Sequence, residues 1–423
     1  MAAREGEGGS TGESAGERTV DTGHEVAMIT PLQIPEYADE VAELRRRLRS
    51  TRWPERETVA SASTVAERWS QGIPLDVVHD LCDYWADGYD WPARVAALNR
   101  LDHARTTIDG LDIHFVHLRS PRGDAIPLIV THGWPGSFVE FLSVAPLLAE
   151  PAGEEGSAAF HVVLPSLPGF AFSDKPTEPG WNAPRIARAW AELMTRLGYD
   201  RFLASGSDWG VSVSESIGAQ FPDRTLGIHL VPPLAAPDPA TFDELTPAEE
   251  DALDDADFRA SDGAAYGDLQ RTRPQTIGYG LVDSPAALAA WIGEKFWQWS
   301  AHDGDLFTVI DRDRLLDNLM MYWLPATGAS SARLYWEWLD DVNRRLGLPG
   351  AEPIVRVPVG GSVFPDEVPR PSRRWASRRF PDIRYWGEPP RGGHFAAMEQ
   401  AELFADEVRA FARTLDSPTK HQP

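Results

Sequence analysis

The 423-residue sequence is poor in residue types that several large classes of protein require. Its one cysteine, Cys82, excludes an internal disulfide and a cysteine-based metal site. The net charge is −24 and no basic run reaches five residues, so nucleic acids and anionic membranes are not expected as partners. No stretch of 18 uncharged apolar residues occurs, and the N-terminus lacks the apolar part of a signal peptide. These absences predict a soluble, cytoplasmic protein without a membrane anchor.

The pattern of residues changes along the chain and predicts its domain organisation. Residues 1–26 are rich in Gly, Ser and Glu and are predicted to form a disordered tail. Apolar residues at helical spacing predict an N-terminal helical segment over 27–100. Apolar strands that alternate with helices predict an α/β core in two parts, 101–231 and 351–417. Residues 232–350 are acidic at first and then aromatic, without a strand pattern, and are predicted to be a helical cap inserted into that core.

The strand pattern also predicts the fold class. Apolar runs at 126–131, 161–165 and 202–205 are each followed by turn residues and then by a helical pattern. A fourth run lies at 226–231, and the strand pattern returns at 354–359 and 383–386. Such alternation is typical of a mostly parallel sheet with helices on both faces. The sequence therefore predicts an α/β fold with an inserted cap and a preceding helical segment.

A short motif flanked by glycines carries the most specific chemical signal. Residues 206–210 read GSDWG and lie between a strand-like run and a helical run. A nucleophile with small residues two positions away on each side, at a strand-to-helix turn, is the nucleophile elbow of α/β-hydrolases. Gly206 and Gly210 flank Asp208 symmetrically, so the frame selects the aspartate. Taken alone, the motif fits equally well an aspartate that caps the N-terminus of a helix.

Other motifs follow in the order that the elbow requires, which is nucleophile, acid and then histidine. The stretch GGSVFPDEVP offers Asp366 and Glu367 as the acid, and His394 lies in RGGHF after the last predicted strand. The stretch HGWPGS follows an earlier strand. Its Trp134 and the Trp209 next to the aspartate are predicted to supply backbone N–H groups to an oxyanion hole.

A carboxylate nucleophile restricts the substrate. Attack on a carbonyl carbon would give an anhydride, whereas attack on a saturated carbon gives an alkyl ester that water can hydrolyse. His394 would activate that water, and Asp366 or Glu367 would orient the imidazole. The pattern therefore predicts an epoxide or an alkyl halide as substrate, with no cofactor and no metal.

The two substrates differ in what the leaving group needs. An opening epoxide needs a proton donor, and phenols suit that role, whereas a halide needs only N–H donors. The predicted cap contains several tyrosines, and composition does not choose among them. They include Tyr266, Tyr279, Tyr322 and Tyr335.

Several of these stretches together resemble the microsomal-type epoxide hydrolases of the α/β-hydrolase superfamily. The resemblance covers about residues 30–415 and includes the N-terminal segment that ends in STRWPE. The matching stretches are HGWPGSFVEF (132–141), PSLPGFAFSDKP (165–176), GSDWG (206–210), FPDE (364–367) and RGGHFAAMEQAEL (391–403).

The resemblance implies a role for individual residues. Asp208 matches the family's nucleophile and His394 its base, and the family's FPxE pattern selects Glu367 as the acid. Tyr335 and Tyr266 match the positions of two cap tyrosines that protonate the epoxide oxygen. Family members often read GGDWGS at the elbow, so this chain departs from the pattern at two positions, which are Ser207 and Val211.

Two other functions are weighed against the epoxide hydrolase. A haloalkane dehalogenase would use the same aspartate and hold the halide with Trp209, but FPxE and RGGHF count against it. A catalytically silent binding protein would not be expected to keep Asp208, Glu367 and His394. The aromatic cap predicts an apolar pocket and hence a lipophilic epoxide, which together with water is the expected small-molecule partner. The sequence leaves open which epoxide is the natural one, the selectivity and whether the chain forms a homo-oligomer.

Overall fold

A single sheet organises the part of the chain that the computed structural model describes, which is residues 28–151, 157–258, 263–347 and 354–415. The predicted disordered tail, residues 1–26, lies outside these ranges. Within them, nine strands form the sheet, in the spatial order β1-β2-β3-β5-β4-β6-β7-β8-β9. The strands are β1 (Thr30–Pro31), β2 (His103–Ile108), β3 (Leu111–Leu118), β4 (Ile126–Thr131), β5 (Phe160–Pro165), β6 (Phe202–Ser207), β7 (Thr225–Val231), β8 (Val359–Ser362) and β9 (Ile383–Gly387).

The type of strand pairing changes once across the sheet, from antiparallel to parallel at β5. The pairs from β1 through β3 to β5 are antiparallel, and every pair from β5 through β4 to β9 is parallel. All residues of β6 are buried, as expected for a parallel strand that is covered on both faces. This mostly parallel sheet confirms the fold class predicted from the sequence.

The helices of the described residues fall into three groups along the chain. Four precede β2: α1 (Ala38–Arg49), α2 (Val65–Arg68), α3 (Leu75–Asp83) and α4 (Trp91–Leu98). Six come between β7 and β8: α8 (Pro247–Phe258), α9 (Ala265–Thr272), α10 (Pro274–Asp283), α11 (Pro285–Trp299), α12 (Arg312–Trp323) and α13 (Gly328–Gly347). The others lie between or after the strands of the core: α5 (Val144–Ala149), α6 (Ala183–Arg196), α7 (Trp209–Gln220), α14 (Arg373–Ala376), α15 (Ala396–Glu399) and α16 (Ala401–Leu415). Within the described ranges, no helix combines the length and the apolar character needed to cross a bilayer.

Local sequence signals account for the start of several helices. The side chains of Asp90, Asn182 and Ser284 each accept a backbone N–H from the first turn of the helix that follows, which is α4, α6 and α11 respectively. Each of these caps is followed by a proline in the first turn, where the missing N–H breaks no helical bond.

Strand β8 differs from the sequence-based expectation. The apolar run 354–359 predicts a strand there, but the strand begins at Val359 and continues through Gly360 and Gly361 to Ser362. Pro358, which has no N–H to donate, precedes it. The glycines are needed because a Cβ atom on Gly360 would lie 2.4 Å from the ring of Phe411. Close packing of α16 on the strand therefore overrides the weak strand propensity of glycine.

The parallel strands bring distant parts of the chain to one edge of the sheet. Residues 132–137 follow β4, residue 208 follows β6, residues 363–367 follow β8, and residues 388–394 follow β9. All these strands point the same way, so their carboxyl ends lie at the same edge, where open α/β sheets bind ligands. The helices between β7 and β8 contribute further side chains to this edge.

The turn that leaves β6 packs directly on the neighbouring strand β4. A Cβ atom on Gly210 would lie 1.9 Å from the carbonyl oxygen of Thr131, and one on Gly206 would lie 2.1 Å from the carbonyl oxygen of Gly210. Real side chains essentially never approach so closely, so the backbone would have to move. The two glycines of the elbow motif are therefore steric requirements of this turn.

This contact predicts opposite effects of one substitution at two glycines. Gly210→Ala should lower the free energy of unfolding by about 3 kcal/mol, because the added methyl group overpacks the turn. Gly280→Ala should raise it by about 0.5–1 kcal/mol, because nothing lies within 4 Å of that exposed helical position and alanine favours the helix. Urea unfolding of both variants measures the difference. Equal stabilities would show that the turn is not tightly packed.

Candidate active site

Asp208 lies at the tip of a strained turn. Its backbone has φ 50° and ψ −122°, a conformation that costs a residue with a side chain about 1–3 kcal/mol. Although Asp208 directly precedes α7, its side chain makes no capping bond to that helix. Instead, its Oδ1 atom accepts the backbone N–H of Trp134 at 2.9 Å. The carboxylate is therefore held away from the helix and faces the loop that follows β4.

The loop after β4 approaches the carboxylate closely. A Cβ atom on Gly133 would lie 2.0 Å from Oδ1 of Asp208, so only glycine allows the contact. The second predicted oxyanion donor, the N–H of Trp209, belongs to the first turn of α7. The first N–H groups of a helix have no partner within the helix and remain available to an anion.

His394 connects the aspartate with a second carboxylate. Its Nδ1 atom lies 2.9 Å from Oε1 of Glu367, and its Nε2 atom lies 3.6 Å from Oδ2 of Asp208. The backbone N–H of His394 donates to the carbonyl oxygen of Trp299 at 2.9 Å, which fixes the loop after β9 against the end of α11. The side chain of Glu367 is 3% exposed, whereas Asp366 is exposed to solvent. The structure thus brings Glu367, and not Asp366, to the histidine.

The two carboxylates control the charge of the imidazole. Burial alone would lower the pKa of His394, but the charges of Glu367 and Asp208 outweigh burial and hold this pKa well above the ordinary 6.5. At neutral pH the histidine is therefore protonated.

Two of the four tyrosines named from the sequence face this group. Tyr335 of α13 and Tyr266 of α9 are buried, with ring centroids 5.8 Å apart. The ring of Tyr335 meets that of Trp209 edge-on at 4.9 Å, and the ring of Tyr266 stacks on that of Trp134 at 5.2 Å. Burial, with the nearby Tyr266 and Asp208, raises the pKa of Tyr335 well above 10.0, so its phenol stays protonated.

The other two tyrosines, Tyr322 and Tyr279, have different surroundings. The hydroxyl of Tyr322 donates to the carbonyl oxygen of Gly136 at 2.7 Å, and Tyr279 is 71% exposed. Sequence composition could not separate these four residues, because the distinction depends on how the helices between β7 and β8 pack.

A cavity of about 570 Å³ joins these residues. Asp208, Glu367 and His394 line one part of it, together with Tyr266 and Tyr335. Most of the remaining wall is apolar. The apolar lining includes Val211, Leu234, Ala235, Trp299, Leu339, Val342 and Trp375.

Two carboxyl groups near the site, the buried Glu140 and the half-buried Glu399, were not identified from the sequence. Glu140 accepts the hydroxyl of Ser207 at 3.1 Å, and burial raises its pKa to about 7. Glu399 accepts the backbone N–H groups on either side of His394, those of Gly393 and Phe395, both at 3.0 Å. Burial raises the pKa of Glu399 to about 6. Both belong to the stretches HGWPGSFVEF and RGGHFAAMEQAEL, but their inward direction is set by tertiary packing.

Comparison with known protein families gives two matches that together span most of the chain. The family model described as "Epoxide hydrolase N terminus" matches residues 29–141. The model described as "alpha/beta hydrolase fold" matches residues 126–401.

Curated relatives cover most of the chain as well. A Stigmatella aurantiaca protein that is provisionally named an epoxide hydrolase is 49% identical, over 92% of this chain and 85% of its own length. Epoxide hydrolase 1 of Sus scrofa is 32% identical, over 92% of this chain and 89% of its own length. Juvenile hormone epoxide hydrolase 1 of Ctenocephalides felis is 33% identical, over 80% of this chain and 77% of its own length.

Solved structures of the same kind superpose on the chain. The juvenile hormone epoxide hydrolase of the silkworm Bombyx mori matches with a TM-score of 0.84 and 30% identity, over 92% of this chain and 95% of that structure. The epoxide hydrolase of Aspergillus niger matches with a TM-score of 0.80 and 29% identity, over 92% of this chain and 97% of that structure. The prediction of an epoxide hydrolase from the sequence is confirmed. With these family models, relatives and structures in agreement, the chain belongs to the epoxide hydrolase family and has the α/β-hydrolase fold.

Proposed function

We propose that the protein hydrolyses a lipophilic epoxide to a vicinal diol through an ester on Asp208. The observation that carries this proposal is the cavity in which a carboxylate, a protonated imidazole and two phenols meet between mostly apolar walls. A carboxylate suits attack on a saturated carbon, phenols suit protonation of an opening epoxide, and apolar walls suit a lipophilic substrate.

The first step forms the ester. An oxygen of the Asp208 carboxylate attacks one epoxide carbon while the bond from that carbon to the epoxide oxygen breaks. The phenols of Tyr335 and Tyr266 face the site, and one of them gives its proton to the departing oxygen. The raised pKa of Tyr335 supports this role, because the phenol is protonated at neutral pH and can donate.

Ester formation changes the charge of the histidine. While Asp208 is a carboxylate, it helps to hold the pKa of His394 well above 6.5. Once Asp208 becomes a neutral ester, that contribution disappears, and burial of the imidazole again favours the neutral form. Formation of the ester thereby converts His394 into the base that ester hydrolysis needs. The proton that the imidazole releases can pass through solvent to the phenolate and restore the phenol.

The second step hydrolyses the ester. The neutral imidazole of His394 takes a proton from water, and the water attacks the carboxyl carbon of Asp208. Glu367, 2.9 Å from Nδ1, orients the ring and stabilises its charge. The oxyanion that forms at Asp208 lies where the N–H of Trp134 already donates, with the N–H of Trp209 beside it. When this intermediate collapses, the bond between the carboxyl carbon and the alkyl oxygen breaks. The leaving oxygen takes a proton from the imidazolium, which regains one from the added hydroxyl group, so the diol is released and the carboxylate is restored.

A haloalkane dehalogenase would use the same nucleophile but needs no proton donor. Two buried phenols that face the nucleophile therefore favour the epoxide. Trp209 lines the cavity and could hold a halide, so the tests below include alkyl halides.

Trapping the ester tests the proposal directly. In the His394→Gln variant the ester should accumulate, because the base that hydrolyses it is missing. Intact-protein mass spectrometry after incubation with a panel of lipophilic epoxides should show one added hydroxyalkyl group, on the peptide that contains Asp208. The matched control is the double variant Asp208→Asn/His394→Gln, which should gain no mass. Adducts from alkyl halides alone would instead identify a dehalogenase.

The role of the phenols predicts a defect in the first step only. Tyr335→Phe should slow ester formation about 10- to 100-fold, because the variant loses a proton donor but keeps the ring. Rapid-quench kinetics with enzyme in excess over the epoxide separates formation of the ester from its decay. The control is Tyr279→Phe, which removes an exposed phenol from the helices between β7 and β8. It should leave the rates of ester formation and ester decay unchanged. Unchanged ester formation in Tyr335→Phe would remove this residue as a donor.

The raised pKa of His394 predicts a pH-dependent stability. A group whose folded pKa is raised contributes stability that is fully present below its unfolded pKa, about 6.5, and is lost as the pH rises through the folded pKa. The difference in unfolding free energy between wild type and His394→Gln should therefore decrease as the pH rises above about 6.5. Urea unfolding at successive pH values measures this difference. A difference that grows with pH would contradict the assigned charge state.

A further inference from the structure

The backbone loop that supplies the N–H of Trp134 is also held by α12. The side-chain amide of Asn318 donates to the carbonyl oxygen of Pro135 at 2.8 Å. The hydroxyl of Tyr322 donates to the carbonyl oxygen of the next residue, Gly136, at 2.7 Å. These carbonyl groups belong to the two residues that follow Trp134, so the two bonds restrain the loop that carries its N–H.

Asn318 and Tyr322 contact the loop from the same side of α12 and are shielded from water. Asn318 and Tyr322 are four residues apart and therefore lie on one face of α12. They are 1% and 2% exposed, so water does not replace their bonds. Asn318 also accepts the hydroxyl of Ser137 at 2.7 Å, which adds a third bond between the helix and the loop.

The opposite side of α12 is anchored to the N-terminal helical region. The hydroxyl of Tyr89 and the Nε of Arg94 both donate to Oδ1 of Asp317 at 2.8 Å. The hydroxyl of Tyr84 donates to Asp313 at 2.8 Å. Helix α12 is thus bonded on one side to the segment that precedes the sheet. On the other side it is bonded to the loop beside Asp208, so the bonds to the N-terminal segment also restrain this loop.

Building on the proposed function, we infer that Asn318 and Tyr322 are positioning residues for the oxyanion donor Trp134. They serve hydrolysis of the ester more than its formation. The negative charge at Oδ1 of Asp208 is dispersed when the ester forms and becomes concentrated when water adds to the ester. A fixed donor at this atom therefore stabilises the transition state of the second step and gives no comparable advantage in the first.

The test separates the two steps in variants of α12. Tyr322→Phe deletes one hydroxyl and keeps the ring, and Asn318→Leu removes both of the amide's bonds at similar size. The matched control is Tyr385→Phe, which deletes a hydroxyl bond to Glu407 of 2.9 Å at strand β9, away from the cavity. Ester formation and ester decay are measured by rapid quench and intact-protein mass spectrometry, with an epoxide that the wild type accepts. Thermal unfolding shows which variants are folded, and Tyr322→Phe alone decides the question if Asn318→Leu is not.

The expected result is a slower second step with an intact first one. In Tyr322→Phe, ester decay should be about ten-fold slower, while ester formation stays within about two-fold of wild type. Tyr385→Phe should keep both rates. Decay at the wild-type rate, or an equal loss in both steps, would overturn the inference while leaving the ester mechanism in place. Absence of an ester in the wild type and in His394→Gln alike would overturn the proposed function and this inference together.

Discussion

The arrangement of the site depends on one steric constraint, the contact between the turn after β6 and the end of β4. Gly210 packs against the carbonyl oxygen of Thr131 so closely that no side chain fits. This contact bends the chain sharply enough to hold Asp208 at positive φ above the edge of the sheet. The same contact brings the loop after β4 within hydrogen-bonding distance of the carboxylate, so Trp134 can donate to it. The positions of the proposed nucleophile and of its proposed oxyanion donor therefore both follow from this packing contact.

The charges of the residues at this sheet edge then determine the protonation state of His394. An enclosed imidazolium would be unstable by itself, and His394 keeps its charge because Glu367 and Asp208 face it. In the proposed mechanism, the reaction removes one of these two charges and thereby converts the histidine into a base. The timing of proton transfer would thus follow from the charge of Asp208.

The sequence predicted the fold and the motifs well because the signals for both are local. Alternation of strands with helices is visible in the chain, and the frame of GSDWG depends only on neighbouring residues. The sequence pattern placed one strand at 354–359, before the observed β8, because glycines are poor strand formers. The glycines occur in β8 because a larger residue at Gly360 would collide with Phe411. The inward direction of Glu140 and Glu399 could not be predicted either, since no local pattern distinguishes a buried carboxylate from an exposed one.

The sequence by itself determined the type of chemistry, because a carboxylate at the elbow, a late histidine and an acid between them are properties of residue identity and order. It also named four tyrosines without separating them. Only the tertiary structure decided that Tyr266 and Tyr335 line the same cavity as Asp208 and that Tyr322 binds the carbonyl oxygen of Gly136. The physical reason is that these tyrosines are separated from Asp208 by many residues in the sequence. Their distances to Asp208 are therefore set by the packing of helices on the sheet edge, which no short sequence pattern encodes.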